Sequence, residues 1–214
     1  MARPARSQDE VDKIKSTILE SALGILVEEG FNGFSMGKLG KQMGMTTANL
    51  YNYYKNKDEL YNLIIIRGYD ILYSVLCEVV EDEPDPLEKV MALFNAYVEF
   101  GIRNAHYYHL MFTMSSPKYL DYVGTESEGI AQLEKDNSLK VLGFVVAVIN
   151  EYTDGHPGYS GIDAKLIALQ FWGQLHGLIS LSNSGNLREA DESPERVIGV
   201  ILENIKIIIM RGLT

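Results

Sequence analysis

The chain has 214 residues, of which 46% are hydrophobic and 22% charged, with a formal net charge of -10 and a single cysteine, Cys77. That length allows one domain or two of unequal size, and a lone cysteine excludes an internal disulfide and suits a reducing compartment. Residues 1–15 include basic residues but have no apolar core behind them, and the longest apolar-dominated run, Val141 to Ile149, is far too short for a bilayer; the expectation is a cytoplasmic protein with no membrane partner.

Helical periodicity runs through the chain, and no segment sustains apolar/polar alternation, so the fold class expected is all-α with about nine helices. Ile14, Ile18, Ala22, Ile25 and Leu26 mark a first helix over about 9–29, with Gly30 placed for a left-handed cap. Ser35 caps a short second helix that turns Met36, Leu39 and Met43 inward, and Gly44 permits the sharp turn after it. Thr46 caps a third helix ending near Tyr53, and Asn56 caps a fourth whose first turn carries Asp58 and Glu59, where the helix dipole favours acids. That helix runs to about Glu81 and is broken by EDEPDP; Asp85, Pro86 and Glu88 then read as cap, first-turn proline and capping-box acid. Further helices are predicted at 87–103, 105–114, 117–123, 127–153, 162–182 and 194–211, the third and the last of these started by Ser116–Pro117 and Ser193–Pro194, with loops at 155–161 and 183–193.

MGKLGKQMG followed by TTANLYNYY has the size and spacing of a helix-turn-helix, whose second helix can enter a major groove. Leu50 and Tyr54, four apart, face inward, leaving a short polar and aromatic set suited to base edges and thymine methyls. Charge divides with it: residues 1–60 hold eight basic and eight acidic residues, and the rest of the chain carries the whole -10. Residues 35–57 contain four lysines and no acid, a local basic face that attracts phosphate while the acidic remainder is kept off nucleic acid. Arg3 and Arg6 could add phosphate or minor-groove contacts. Spacing alone leaves two readings open, a DNA-binding head and a helical head that binds protein.

The ordered pattern ILESALGILVEEGFNGFSMGKLGKQMGMTTANLYNYYKNKDEL, with the flanking helix from residue 14, resembles the DNA-binding domain of the tetracycline-repressor (TetR) family. The resemblance implies a homodimeric transcription regulator, a repressor, with a DNA-binding domain over 1–56 and a helical ligand-binding and dimerisation domain over 57–214. Its partners would be a palindromic operator in double-stranded DNA and a small apolar or aromatic effector. By position, Thr46, Thr47, Ala48, Asn49, Tyr51, Asn52 and Tyr53 would form the recognition surface and Lys57 would hold a phosphate; Ser35, Lys38 and Lys55 complete the candidate DNA-contacting set. Gly37 stands where many relatives carry a polar or basic residue, and Gly40 where alanine is usual.

In the remainder, FWGQLHGLISL resembles the tryptophan–histidine–glycine (WHG) signature of one subgroup of TetR-type C-terminal domains. Gly173, Gly177 and Ser180 form a narrow strip for close helix approach, and the last helix, with Ile201, Ile205 and Ile208, is apolar all round, so both are assigned to a two-fold four-helix dimer interface; core helices of a monomer are the alternative. The Tyr, Phe, Met and His density of residues 97–122 suits an adaptable pocket, with Tyr97, Phe100, Tyr108, Met111, Phe112, Tyr122, Trp172 and His176 as ligand candidates; a packed core is the alternative. His106 and His109 lack further ligands nearby, so no metal site is assigned; no cofactor is expected, and no nucleophile elbow or phosphate-cradling loop marks an enzyme.

Overall fold

The computed structural model describes residues 7–212, and among these it contains helices and no strand. Eleven α-helices follow in order: α1 Gln8–Gly33, α2 Met36–Met43, α3 Thr47–Tyr51, α4 Lys57–Glu78, α5 Pro86–Arg103, α6 Ala105–Tyr108, α7 Tyr119–Tyr122, α8 Glu128–Thr153, α9 Ala164–Asn183, α10 Asn186–Ala190 and α11 Pro194–Arg211. A π-helical turn, His109–Thr113, continues α6, and a 3₁₀ turn, Pro157–Tyr159, lies between α8 and α9. The expected helical fold is therefore present, with more and shorter pieces than sequence periodicity resolves.

Local chemistry accounts for most boundaries. The side chains of Ser35, Thr46, Asp85 and Asp163 accept hydrogen bonds from backbone N–H groups in the first turns of α2, α3, α5 and α9, satisfying donors that a helix start leaves unpaired. Asn56 does the same for α4, accepting from the Glu59 N–H at 2.8 Å. Gly30 interrupts α1 with φ 71, but one further turn carries the chain on to Gly33. Ser116 does not cap the segment after it: its hydroxyl accepts from Tyr61 at 2.6 Å, and α7 begins only at Tyr119, where the Lys118 N–H donates to Asp121 at 2.8 Å. Nor does Ser193 cap α11 with its side chain. Residues 186–190, expected as loop, form α10 because Leu187 is buried.

Contacts gather the chain into two compact units, Met1–Gly68 with His106–Asn137, and Tyr69–Ala105 with Ser138–Thr214. The unit holding the helix-turn-helix thus extends past residue 56 and takes in α6, the π turn and α7. In it Phe31 meets Tyr61 edge-on at 4.9 Å. Gly68 lets the Met111 sulfur come so close that a Cβ would lie 2.6 Å from it. Polar ties add to this packing: Tyr61 to Ser116, Asn56 to Glu126 at 3.0 Å and to Ser127 at 3.3 Å, and Tyr122 to Asp58 at 3.4 Å. In the second unit α5 packs along α9, with Phe94 and Phe171 at 5.4 Å and Gly101 beneath Ile179. Lys206 on α11 holds Glu88 on α5 at 2.5 Å. α4 is long and apolar enough to cross a membrane although charges interrupt its apolar run, yet half of that stretch is buried inside the protein; that is the pattern of a core helix.

Candidate nucleic-acid interface

α2 and α3 meet at a turn whose tightness has a visible cause. The Gly44 left-handed cap (φ 63) reverses the chain, the Met45 N–H donates to the Gly40 carbonyl at 2.9 Å, and a Cβ on Gly40 would lie 2.7 Å from the Met45 carbonyl oxygen. Glycine at 40 therefore lets the backbone of the turn lie directly on α2. α3 is anchored from below: Leu50 is 0% exposed, and buried Tyr54 donates its hydroxyl to the Lys15 carbonyl at 3.0 Å. Burial pushes the Tyr54 phenol up to about 12, with Glu59 adding to the shift.

That anchorage leaves the other face of α3 outward. Tyr51 is 52% exposed, Thr46, Ala48, Asn52 and Lys55 are exposed, and Thr47, Asn49 and Tyr53 are half-buried. The Thr46 hydroxyl accepts from the Asn49 N–H at 3.2 Å, so it is committed first to capping. Lys57 opens α4 with its ammonium 4.4 Å above the Phe31 ring, a cation–π contact that orients the charge at a helix N-terminus. Lys38 is engaged differently: its ammonium is held by the Glu29 carboxylate and by the Gly33 carbonyl at 2.9 Å, so it staples the α1–α2 turn. Ser35 likewise spends its hydroxyl on the Lys38 N–H at 3.3 Å. Lys41 and Gln42, outside the candidate set, are exposed at the end of α2, as a helical wheel of MGKLGKQM would indicate. Arg3 and Arg6 lie outside the described residues.

The eight ligand candidates are divided four and four between the units. Tyr108, Met111 and Tyr122 in the first and Phe100 in the second are at most 5% exposed and serve as core. Phe112 lies against Tyr108 with ring centroids 5.0 Å apart. In the second unit the Trp172 indole N–H donates to the Tyr97 hydroxyl at 2.7 Å, with His176 6.5 Å from the indole and Trp172 43% exposed. The dimer candidates also differ among themselves. Gly173, Ser180 and Ile208 are exposed and Gly177 and Ile201 half-buried, whereas Ile205 is 2% exposed and faces its own unit, one turn from buried Leu202 and Ile209. α11 instead exposes Val200, Ile207, Ile208 and Met210. Among the described residues no three metal-binding side chains gather; His109 shares its Nδ1 with the Thr113 hydroxyl at 2.7 Å.

Comparison with known proteins places this geometry. Residues 18–64 match the bacterial regulatory proteins of the tetR family, and residues 90–204, more than half of the chain, match the tetracyclin repressor-like C-terminal domain. An uncharacterised helix-turn-helix-type transcriptional regulator of Mycobacterium tuberculosis is 26% identical over 195 residues, covering 89% of this chain and 77% of that protein. Another, of Bacillus subtilis, is 30% identical over 91 residues, covering 42% and 47%. The solved TetR family transcriptional regulator PfmR of Thermus thermophilus shares the fold, with a TM-score of 0.67 at 18% identity over 92% of this chain and 98% of that one. The family consists of transcriptional regulators, not enzymes. With its helix-turn-helix and the larger part of its remaining length both matched, this chain belongs to the TetR family of DNA-binding transcriptional regulators.

Proposed function

We propose that the protein is a cytoplasmic, ligand-responsive repressor that binds a palindromic operator as a homodimer and is released by a small apolar or aromatic effector. The observation that carries the reading is the outward face of α3, where Tyr51, Ala48 and Asn52 stand exposed over buried Leu50 while Lys55 and Lys57 follow at the start of α4. Side chains of this kind read base edges, and lysines at a helix N-terminus hold phosphate. Pairing of two copies through the exposed faces of α9 and α11 would set two α3 helices about one DNA turn apart. An effector with higher affinity for a conformation that spoils that spacing shifts the population off the operator.

A mobility shift with genomic fragments, including the stretch upstream of the protein's own gene, tests the reading. Retardation is expected at low salt, weakening about a thousandfold or more between about 50 and 200 mM salt if six or more phosphates are contacted. No retardation at low salt overturns it and favours a head that binds protein.

A further inference from the structure

The Gly30 kink near the end of α1 is bridged from both sides. Gly30 is left-handed (φ 71), one further turn runs to Gly33, and the Phe34 N–H closes that turn on the Gly30 carbonyl at 3.1 Å. Lys38 reaches across it from the first turn of α2: its ammonium is held by the Glu29 carboxylate, which precedes the kink, and donates at 2.9 Å to the Gly33 carbonyl, which follows it. Glycine at 33 makes room for this bridge, since a Cβ there would lie 2.8 Å from the Glu29 Cβ. The turn fastened in this way carries Phe31, which is 6% exposed. The Lys57 ammonium stands 4.4 Å over the Phe31 ring, and Tyr61 meets the same ring in a T-shaped contact, its own hydroxyl donating to Ser116 at 2.6 Å. Two lysines are thus linked through one aromatic ring: Lys38 sets the turn, the turn sets Phe31, and Phe31 sets where Lys57 presents its charge at the start of α4.

From this we infer that Glu29 and Lys38 are a positioning pair for DNA binding. They fasten the turn that carries Phe31 and so hold the Lys57 ammonium ready for a phosphate, a role that rests on the phosphate contact of Lys57 proposed above; Lys38 acts through Lys57 and not on a phosphate of its own. Glu29 makes the idea testable by sign. It is an acid on the domain that approaches a polyanion, so electrostatic attraction alone makes removal of its charge strengthen binding, and more so if Lys38 is thereby released to a phosphate. A positioning residue does the opposite: its removal weakens binding.

The probe is a labelled duplex of arbitrary sequence, about 30 base pairs long, whose binding to the full chain is followed by fluorescence anisotropy between about 50 and 150 mM salt, because phosphate contacts supply sequence-independent affinity. Glu29→Gln should weaken binding about threefold, the scale of one exposed ion pair, with the urea unfolding midpoint nearly unchanged. In a Lys57→Ala background the same substitution should weaken binding no further. Lys38→Gln in that background should leave the salt slope where Lys57→Ala alone puts it. Glu29→Gln binding as tightly as the parent or more tightly overturns the pair, as does an equal loss with and without Lys57. A further fall of about 1 in the salt slope with Lys38→Gln gives Lys38 its own phosphate and likewise overturns it. If Lys57→Ala binds like the parent, the phosphate role of Lys57 falls and takes the pair with it, whereas a weakened Lys57→Ala beside an unchanged Glu29→Gln removes the pair alone. No binding by the parent at low salt removes both.

Discussion

The two units are held together alike and differ in what the recognition helix and the last long helices leave outside. In the unit that carries α3, apolar packing is supplemented by polar ties between residues far apart in sequence, Tyr61 to Ser116, Asn56 to Glu126, Tyr122 to Asp58 and Tyr54 to Lys15. The outward face of α3 shows one large apolar side chain, Tyr51. The second unit has such ties too, Lys206 to Glu88, Trp172 to Tyr97 and Tyr159 to the Ile209 carbonyl, but its α9 and α11 leave eight large hydrophobics exposed, Leu166, Leu169, Trp172, Leu181, Val200, Ile207, Ile208 and Met210. Exposed apolar side chains on two helices suit burial against a second copy, whereas the polar face of α3 suits the charged, hydrated partner proposed above.

The largest effect should come from breaking the apolar side of that contrast. Val200→Glu with Ile208→Glu should reduce the solution mass to that of one 24.0 kDa chain. Operator affinity should drop by about 10²- to 10⁴-fold, because the second half-site is then no longer tethered to the first. A double variant that stays dimeric by light scattering would remove α11 from the interface. Next in size is the anchor of α3: Leu50→Ala should cost about 2–5 kcal/mol in urea unfolding, as expected for a fully buried leucine.

Smaller effects sharpen the recognition side. Tyr51→Ala should leave the unfolding midpoint within error yet weaken operator binding by about tenfold, the scale of one base or phosphate contact. Lys57→Ala should weaken binding, lower the salt slope by about 1, and also cost about 0.5–1 kcal/mol of stability through the lost Phe31 contact. The smallest effect concerns Glu134 of α8, whose carboxyl is pushed up by burial and partly restored by Lys118. A carboxyl raised in the folded state contributes stability below its ordinary range and loses it as pH rises through the raised value. Glu134→Gln should therefore raise the unfolding midpoint at pH 7 and leave it nearly unchanged at pH 4.

Much of this molecule is legible in its sequence wherever the controlling contact is local. The caps at Ser35, Thr46, Asn56 and Asp85 depend on residues at most three positions away, and the turn at Gly44 and the helical spacing of Leu50 and Tyr54 are also set within a few residues. What escaped sequence reading depended on distant partners. Ser116 looks like a helix cap until Tyr61 takes its hydroxyl, and the pairing of Lys38 with Glu29, nine positions away, is not visible in a helical window. Ile205 belongs to an all-round apolar helix, and only packing against its own unit shows that it faces inward while Ile208 faces out. The aromatic richness of residues 97–122 cannot by itself show which of its side chains lie inside, and only folding shows that Phe100, Tyr108, Met111 and Tyr122 are buried.

The amino-acid order alone determined an all-helical chain, the placement of its helix-turn-helix and the segregation of charge, because periodicity, capping and charge act over one or two turns. Tertiary structure decided which lysines are held by acids and which apolar faces remain outward. Those outcomes arise from competition among groups brought together by folding, and no short window of sequence contains all the competitors.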